Sequence, residues 1–370
     1  MRFTEFSGEW KEELLDRIAT LSKGIGIPKE QLSEDGDPCI LYGELYTKYK
    51  SEIIKQVESK TDIDGSKLKR SKANDVIIPC SGETAVDIAT ARCVPFDSIL
   101  LGGDLNVISL HKYDGAFMSY QLNGKRKYDI ARVAQGVSVV HLYGEHLKTI
   151  KTYNPTLPEQ QKIAILLSLL DERIATQNKI IEDLKKLKSA ISHILFSSKG
   201  AIHLSEIANV VMGQSPSSNA YNDQGLGMPL VQGNLDISNG KTTPRLYTAE
   251  FNQMTEKGNI ILTVRAPVGE VAKATQKVCL GRGVCAIIPH EENMSDFIYQ
   301  YLTFYKFMWR RYEQGSTFTS INGSDVRNIF CPKVRNVSIL TLLDIKINIE
   351  ERVVKQYQSQ KQYMLYQMFI

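Results

Sequence analysis

The six cysteines of this 370-residue chain, Cys39, Cys80, Cys93, Cys279, Cys285 and Cys331, include no Cys-x-x-Cys pair. Their spacing argues against a zinc site and a disulfide framework, and they read as reduced, packed thiols. No apolar run approaches the ~20 residues of a membrane span. The N-terminal MRFTEFSGEWKEELL has no apolar signal core, so the expectation is a cytoplasmic chain with no membrane partner. Charge of one sign is missing too: 45 Lys+Arg face 41 Asp+Glu, a net charge of +4. Composition alone does not mark a nucleic-acid binder, so any basic surface has to be a local patch. The length exceeds what one core usually holds, and two or more domains are expected.

Catalytic signatures are incomplete wherever they begin. Asn154-Pro155-Thr156-Leu157 only superficially matches a methyltransferase target-base loop, and no glycine-rich cofactor motif accompanies it. Gly24-Ile25-Gly26 has no third glycine in register for a dinucleotide loop. In Asn239-Gly240-Lys241-Thr242 the first glycine of a phosphate loop would fall at Leu235, so the stretch reads as a turn. His141 and His146 lie one residue too far apart for a zincin pair, and Gly144 interrupts the helix such a pair needs. No paired carboxylates with a following lysine suggest a nuclease. The expectation is a chain with no catalytic residue, no metal and no bound cofactor of its own.

Glycine is absent, and proline occurs only at Pro158, between Leu157 and Phe196. Thr156 and Glu159 have capping-box spacing, and Pro158 falls in the first turn, where a missing N–H matters least. Leu167, Leu170, Ile174, Gln177, Ile181, Leu184, Lys188, Ile191 and Leu195 then alternate in steps of three and four, an a/d heptad seam. The seam repeats near the C-terminus as Leu340, Leu343, Ile347, Glu350, Val354, Tyr357, Lys361, Met364 and Met368. Both copies break the apolar pattern at the same two places, Gln177/Glu350 and Lys188/Lys361, and Asp171 matches Asp344. Weaker echoes link the flanking segments. Ile18-Ala19 with Gly24 resembles Ile207-Ala208 with Gly213, and Leu101-Gly102 with His111 resembles Leu280-Gly281 with His290. Gln135-Gly136 with Gly144 and Ile150 resembles Gln314-Gly315 with Gly323 and Ile329.

These repeats predict an α/β (α+β) chain of two pseudo-repeated globules: 1–155, a central helix over 156–198, a second globule over 199–335 and a distal helix over 336–370. An amphipathic helix must bury its seam. The distal helix can pair with the central one, yet stay near its own globule, only by running back, so an antiparallel two-helix coiled coil is expected. About 38 helical residues would span roughly 57 Å. Within the first globule, Glu9 to Leu21 is helical in pattern, Asn74 to Pro79 and Asp104 to Leu110 read as strands, and Ala116 to Arg132 is helix-compatible. Two similar heads on a spacer suit a repeating target such as DNA, with different loops reading two half-sites.

Leu157-Pro158-Glu159-Gln160-Gln161-Lys162-Ile163-Ala164 and the closing Ile194-Leu195-Phe196 resemble the conserved helix of specificity subunits of type I restriction-modification systems. Asp75-Val76-Ile77-Ile78-Pro79 with Ser81-Gly82-Glu83, and Thr263-Val264-Arg265-Ala266-Pro267-Val268-Gly269, are similar to segments of that family's target recognition domains. The resemblance covers essentially the whole chain. It implies that each globule reads half of a bipartite site on double-stranded DNA. It also implies that the helix pair sets the half-site spacing and docks two methyltransferase subunits, with restriction subunits joining that core. Adenine N6 methylation from S-adenosylmethionine would belong to the methyltransferase, and ATP and Mg would belong to the restriction subunit. The chain departs from the family at the distal helix, where Lys333-Val334-Arg335-Asn336-Val337-Ser338 stands in place of the LPEQQKIA opening. The alternatives are a methyltransferase or nuclease with its own activity, and a coiled-coil adaptor.

DNA contact then falls to loop side chains. Lys67, Lys69, Arg70 and Lys72 form one basic run, and Lys125, Arg126 and Lys127 another. Both suit phosphates, although a solvated face explains each equally well. Arg265, Arg282, Arg310 and Arg311 are candidates in the second globule, since arginine pairs bidentately with guanine. Gln135 and Gln314 occupy matching loops, with Ser316 and Thr317 beside the latter, and are candidates for adenine. Lys188 and Lys361 are expected at the edge of the seam.

Overall fold

The computed structural model describes residues 2–197, 202–312, 320–334 and 336–369. It divides into two compact units, Met1–Lys179 with Arg352–Ile370, and Ile180–Glu351. The division cuts both long helices, the central one at Leu157–Phe196 and the distal one at Ser338–Met368.

In the first unit, an antiparallel sheet runs in the order Ala19–Lys23, Leu105–Leu110, Asp75–Pro79, Arg92–Val94. The Asp75–Pro79 strand is buried throughout, which is why it reads as a continuous β-branched run rather than an alternating one. A second sheet is built from very short strands, Leu32–Ser33, Lys60–Thr61, Asp37–Ile40 and Leu100–Leu101, and its last pair is parallel. Lys11–Leu14 pairs with Lys151–Asn154. The helices Gly115–Asn123 and Arg126–Val133 cover the helix-compatible stretch.

The second unit repeats this plan. Its larger sheet places Ala208–Met212, Val284–Pro289, Ile260–Thr263 and Val271–Lys273 in the same order, then adds Lys241–Thr242 and Ile237–Ser238. Its other sheet runs Tyr221–Asn222, Leu246–Thr248, Met228–Val231, Val278–Leu280, Met254–Thr255, again with one parallel pair in the matching place. Individual backbone bonds recur: His111 N–H donates to Ile18 O and His290 N–H to Ile207 O, while Leu15 N–H donates to Ile150 O and Leu204 N–H to Ile329 O. The repeated glycines have a cause. A Cβ on Gly24 would sit 1.9 Å from the Gly102 carbonyl oxygen, and one on Gly213 would sit 2.2 Å from that of Gly281.

The helical reading of Glu9 to Leu21 is overturned. The segment is a strand, a single helical turn at Leu15–Ile18, and a second strand. Its apolar spacing fits a helix, but backbone pairing with Lys151–Asn154 on one side and Leu105–Leu110 on the other outweighs local periodicity. The Asn239-Gly240 stretch is a tight hairpin turn, with φ of 50° and 68°, as expected where both central residues need positive φ.

Within each unit the two long helices run antiparallel. In the first, Asp171 meets Lys361 and Arg173 lies over the Tyr357 ring; in the second, Lys185 meets Glu351 and Lys188 meets Asp344. The seam positions Leu167, Leu170, Ile181, Leu340, Ile347, Val354 and Met368 are buried. Ile174, Leu184, Ile191, Leu195, Leu343, Tyr357 and Met364 are half-buried. Among the described residues, no helix is long and apolar enough to cross a membrane.

The capping box at the central helix is replaced by tertiary contacts. The buried Glu159 carboxylate does not reach back to residue 156. It accepts Arg2 Nε at 2.7 Å and Trp10 Nε1 at 3.3 Å. Gln160 accepts Asp114 N–H at 2.9 Å and donates to Pro155 O at 2.8 Å. Trp10 packs edge-on against Phe117 and Phe369. The distal helix opens locally instead, with Asn336 Oδ1 accepting Ser338 N–H at 3.0 Å.

Candidate nucleic-acid interface

At matching strand ends, each unit carries clefts lined by loops. The second unit's cleft holds about 600 Å³ and is lined by Ser215, Gln232, Asp236, Arg245, Arg265 and Arg282, among others. Three short sequence segments distant from one another therefore bring three guanidinium groups to one hollow. Arg265 and Arg282 are exposed. Arg265 forms a backbone bridge to Ser320, and Arg282 N–H donates to Ser215 Oγ at 3.0 Å.

Backbone hydrogen bonds fix which residues of the first unit correspond. Cys80 N–H donates to Asp104 O as Val264 N–H does to Gly283 O, and Leu142 N–H donates to Cys80 O as Ile321 N–H does to Val264 O. Ser81 thus stands where Arg265 does, and Gly103 where Arg282 does. Two adjoining clefts occupy this face of the first unit. One, about 700 Å³, is lined by Tyr42, Tyr46, Ser81, Glu83, Ser138 and Val139; the other, about 830 Å³, by Ile27, Lys29, Tyr42, Lys48 and Asp104. The scaffold is repeated while the side chains at its mouth are not.

The other sequence candidates are spread more widely. Gln135 is exposed and bridges His141 across the loop that carries Ser138 and Val139, beside the first unit's cleft. Gln314, Ser316 and Thr317 lie outside the described residues. Arg310 and Arg311 are exposed on a short 3-10 stretch, Lys306–Arg311, and do not line the arginine cleft. Lys67 and Lys72 are exposed and Lys69 half-buried, and none of the three lines either cleft. Arg70 is held by Asp37 at 2.6 Å and Ser98 O at 3.1 Å.

The 125–127 run turns inward. Lys125 lies over the Tyr366 ring of the distal helix at 5.0 Å, and Arg126 lies over Tyr153 and pairs with Asp129 at 3.3 Å. Burial lowers the Lys127 pKa from the usual lysine value. These groups hold the unit together locally and are poorly placed for phosphates. Reading by motif missed Arg245. The signal was present in the Asn239-Gly240 turn, because a two-residue hairpin folds position 243 back onto position 236 and brings Arg245 with it.

The seam-edge lysines have partners on the facing helix. Lys361 Nζ lies 2.5 Å from Asp171 Oδ1 and also pairs with Glu52, and Tyr120 Oη donates to Asp171 Oδ2 at 2.6 Å. In the second unit, Lys188 Nζ lies 2.5 Å from Asp344 Oδ1, and Gln300 Nε2 donates to Asp344 Oδ2 at 2.7 Å.

The sequence profile described as "Type I restriction modification DNA specificity domain" matches residues 8–186 and again 200–356. A putative type I restriction enzyme MjaX specificity subunit from Methanocaldococcus jannaschii is 34% identical over 208 residues, covering 50% of this chain and 49% of that protein. The alignment thus spans about half the length of that curated relative. The crystal structure of a type I restriction-modification S subunit from M. genitalium shares the fold, with a TM-score of 0.66 at 20% identity over 100% of this chain and 99% of that one. A chain from a structural study of complex assembly and conformational transition of the type I R-M system superposes with a TM-score of 0.61 at 19% identity, over 98% and 97% of the two chains.

Proposed function

The chain belongs to the type I restriction-modification DNA specificity family, and on that premise we propose that it is a specificity subunit, reading a bipartite, asymmetric site on double-stranded DNA. One observation carries the reading: two units share strand order, a parallel pair and individual backbone bonds, yet differ in the residues at the mouths of their clefts. Repetition of the scaffold suits two contacts with a repeating duplex, and the differing mouths suit two different half-sites.

The chain itself carries no chemistry in this reading. Two methyltransferase subunits using S-adenosylmethionine would supply adenine methylation, and restriction subunits using ATP and Mg would supply cleavage. Apolar side chains left exposed on the long helices support docking of partner helices. They include Ile165, Leu169, Leu187 and Ile194 on the central helix and Ile339 and Leu342 on the distal one. An amphipathic partner would remove them from water at about 25 cal/mol per Å².

The test is a unit exchange. Replacing the first globule with that of another family member, expressing the chimaera with a methyltransferase partner and mapping methylated adenines should change one half-site and leave the other intact. A change in both halves, or methylation by the purified chain alone, would overturn the reading.

A further inference from the structure

We propose that Arg245 is a pre-oriented reader of a guanine base, and that the half-site of the second unit therefore contains a guanine whose O6 and N7 face this cleft. The assignment rests on the DNA-recognition reading above. Asp236, which is buried, anchors the arginine: its Oδ2 accepts Gln232 N–H at 2.8 Å, and its Oδ1 accepts Arg245 Nε at 3.0 Å. The hairpin that closes at Asn239-Gly240 locks this geometry, with Thr243 N–H donating to Asp236 O at 2.8 Å. The Arg245 side chain is nevertheless 58% exposed and lines the cleft with Arg265 and Arg282.

Holding Nε fixes the plane of the guanidinium and leaves its two terminal nitrogens as a fork. Such a fork matches the two acceptors that guanine presents in the major groove. The paired carboxylate also offsets the positive charge, which weakens attraction to a phosphate while leaving directional bonding intact. A buried carboxylate recurs in the first unit with a different cation. Glu44 Oε2 accepts Leu41 N–H at 2.9 Å, in the place of the Gln232 bond, and Glu44 Oε1 lies 2.7 Å from Lys48 Nζ. Lysine offers a point charge without a fork. The carboxylate support is thus repeated but the head is not: Lys48 reaches Glu44 from the end of the same short helix, whereas the strand registers put Glu58 where Arg245 stands, so the first unit has no arginine fork at that place.

The full chain, alone and in complex with a methyltransferase partner, would be presented with randomised double-stranded DNA, and the bound sequences determined for wild type, Arg245→Gln, Arg245→Lys and Asp236→Asn. We expect the wild type to select a guanine in one half-site. Both Arg245 variants should lose roughly ten- to hundredfold of the discrimination at that position, with the other half-site unchanged. Asp236→Asn should relax the same preference by a smaller factor. Two results would overturn the assignment while leaving DNA recognition standing: a bipartite motif untouched by Arg245→Gln, or an affinity loss equal on all sequences and restored by Arg245→Lys, the mark of a phosphate contact. A wild-type chain that selects no sequence in either form would overturn the recognition reading along with this one.

Discussion

Asp171 and Asp344 hold equivalent places on the two long helices. Each takes a lysine from the facing helix and a hydrogen bond from the globular part of its own unit. Their surroundings differ. In the first unit, Lys361 is 13% exposed and Asp171 is 7% exposed, and the buried Glu52 joins them. In the second, Lys188 is 19% and Asp344 31% exposed, Gln300 stands where Tyr120 does, and among the described residues no second carboxylate pairs with the lysine. A buried ion pair is a weak source of stability, because desolvation consumes most of its attraction. Its stronger effect is on register: sliding one helix past the other would leave a charge facing apolar seam residues. The repeat therefore fixes helix register by the same side-chain chemistry at two depths, and the depth sets what its loss costs.

Three measurements would sharpen or break that contrast. Lys361→Met removes the lysine that pairs with both Asp171 and Glu52 and leaves them buried with Arg92 as the neighbouring cation; it should destabilise the first unit by about 3–5 kcal/mol. Loss of amide-exchange protection in Gly115–Asn123 and in residues 352–368 would report it, and protection equal to wild type would show that the node does not pin the helices. Lys188→Met breaks the shallower pair and should cost roughly 1 kcal/mol, shrinking further in high salt. A salt-independent cost as large as that of Lys361→Met would remove the distinction of depth.

The smallest effect concerns pH. Burial pushes the Glu52 carboxyl above the usual carboxylate range; Lys361 and Arg92 oppose the shift and Asp171 adds to it. A raised pKa means that the folded state holds the proton more tightly. Its contribution to stability is full below the ordinary carboxylate pKa and is lost as pH rises through the raised value. Denaturation of wild type and Glu52→Gln at acidic and neutral pH should show a flatter dependence in the variant. Identical slopes would mean that Glu52 titrates normally.

The helix openings repeat the lesson in a form the chain itself displays. Glu159 and Gln160 of the LPEQQ run are buried in bonds to Arg2, Trp10, Asp114 and Pro155. Thr156 to Glu159 looks like a local cap on spacing alone, and the tertiary partners that take over this carboxylate lie more than a hundred residues away in sequence. At the distal helix, where the motif is absent, a local Asn336 cap suffices.

Much of the architecture was legible in advance because it is local. A period of 3.5 residues sustained from Leu167 to Leu195, and repeated with its defects from Leu340 to Met368, needs no knowledge of partners to be read as a paired helix. The buried strand at Asp75–Pro79 and the Asn239-Gly240 turn are likewise written in adjacent residues. The two-residue strands of the second sheet were not legible, nor was the replacement of a helix at Glu9 to Leu21 by strands. Such segments owe their conformation to hydrogen bonds with distant backbone. The same holds for the interface. Sequence could nominate Arg265 and Arg282 as loop arginines, but only folding sets them beside Arg245, turns Lys125 and Arg126 onto aromatic rings, and gives Lys188 and Lys361 their aspartates. Periodicity along one helix fixes which face is buried; which charge meets which depends on a second segment whose position no local pattern encodes.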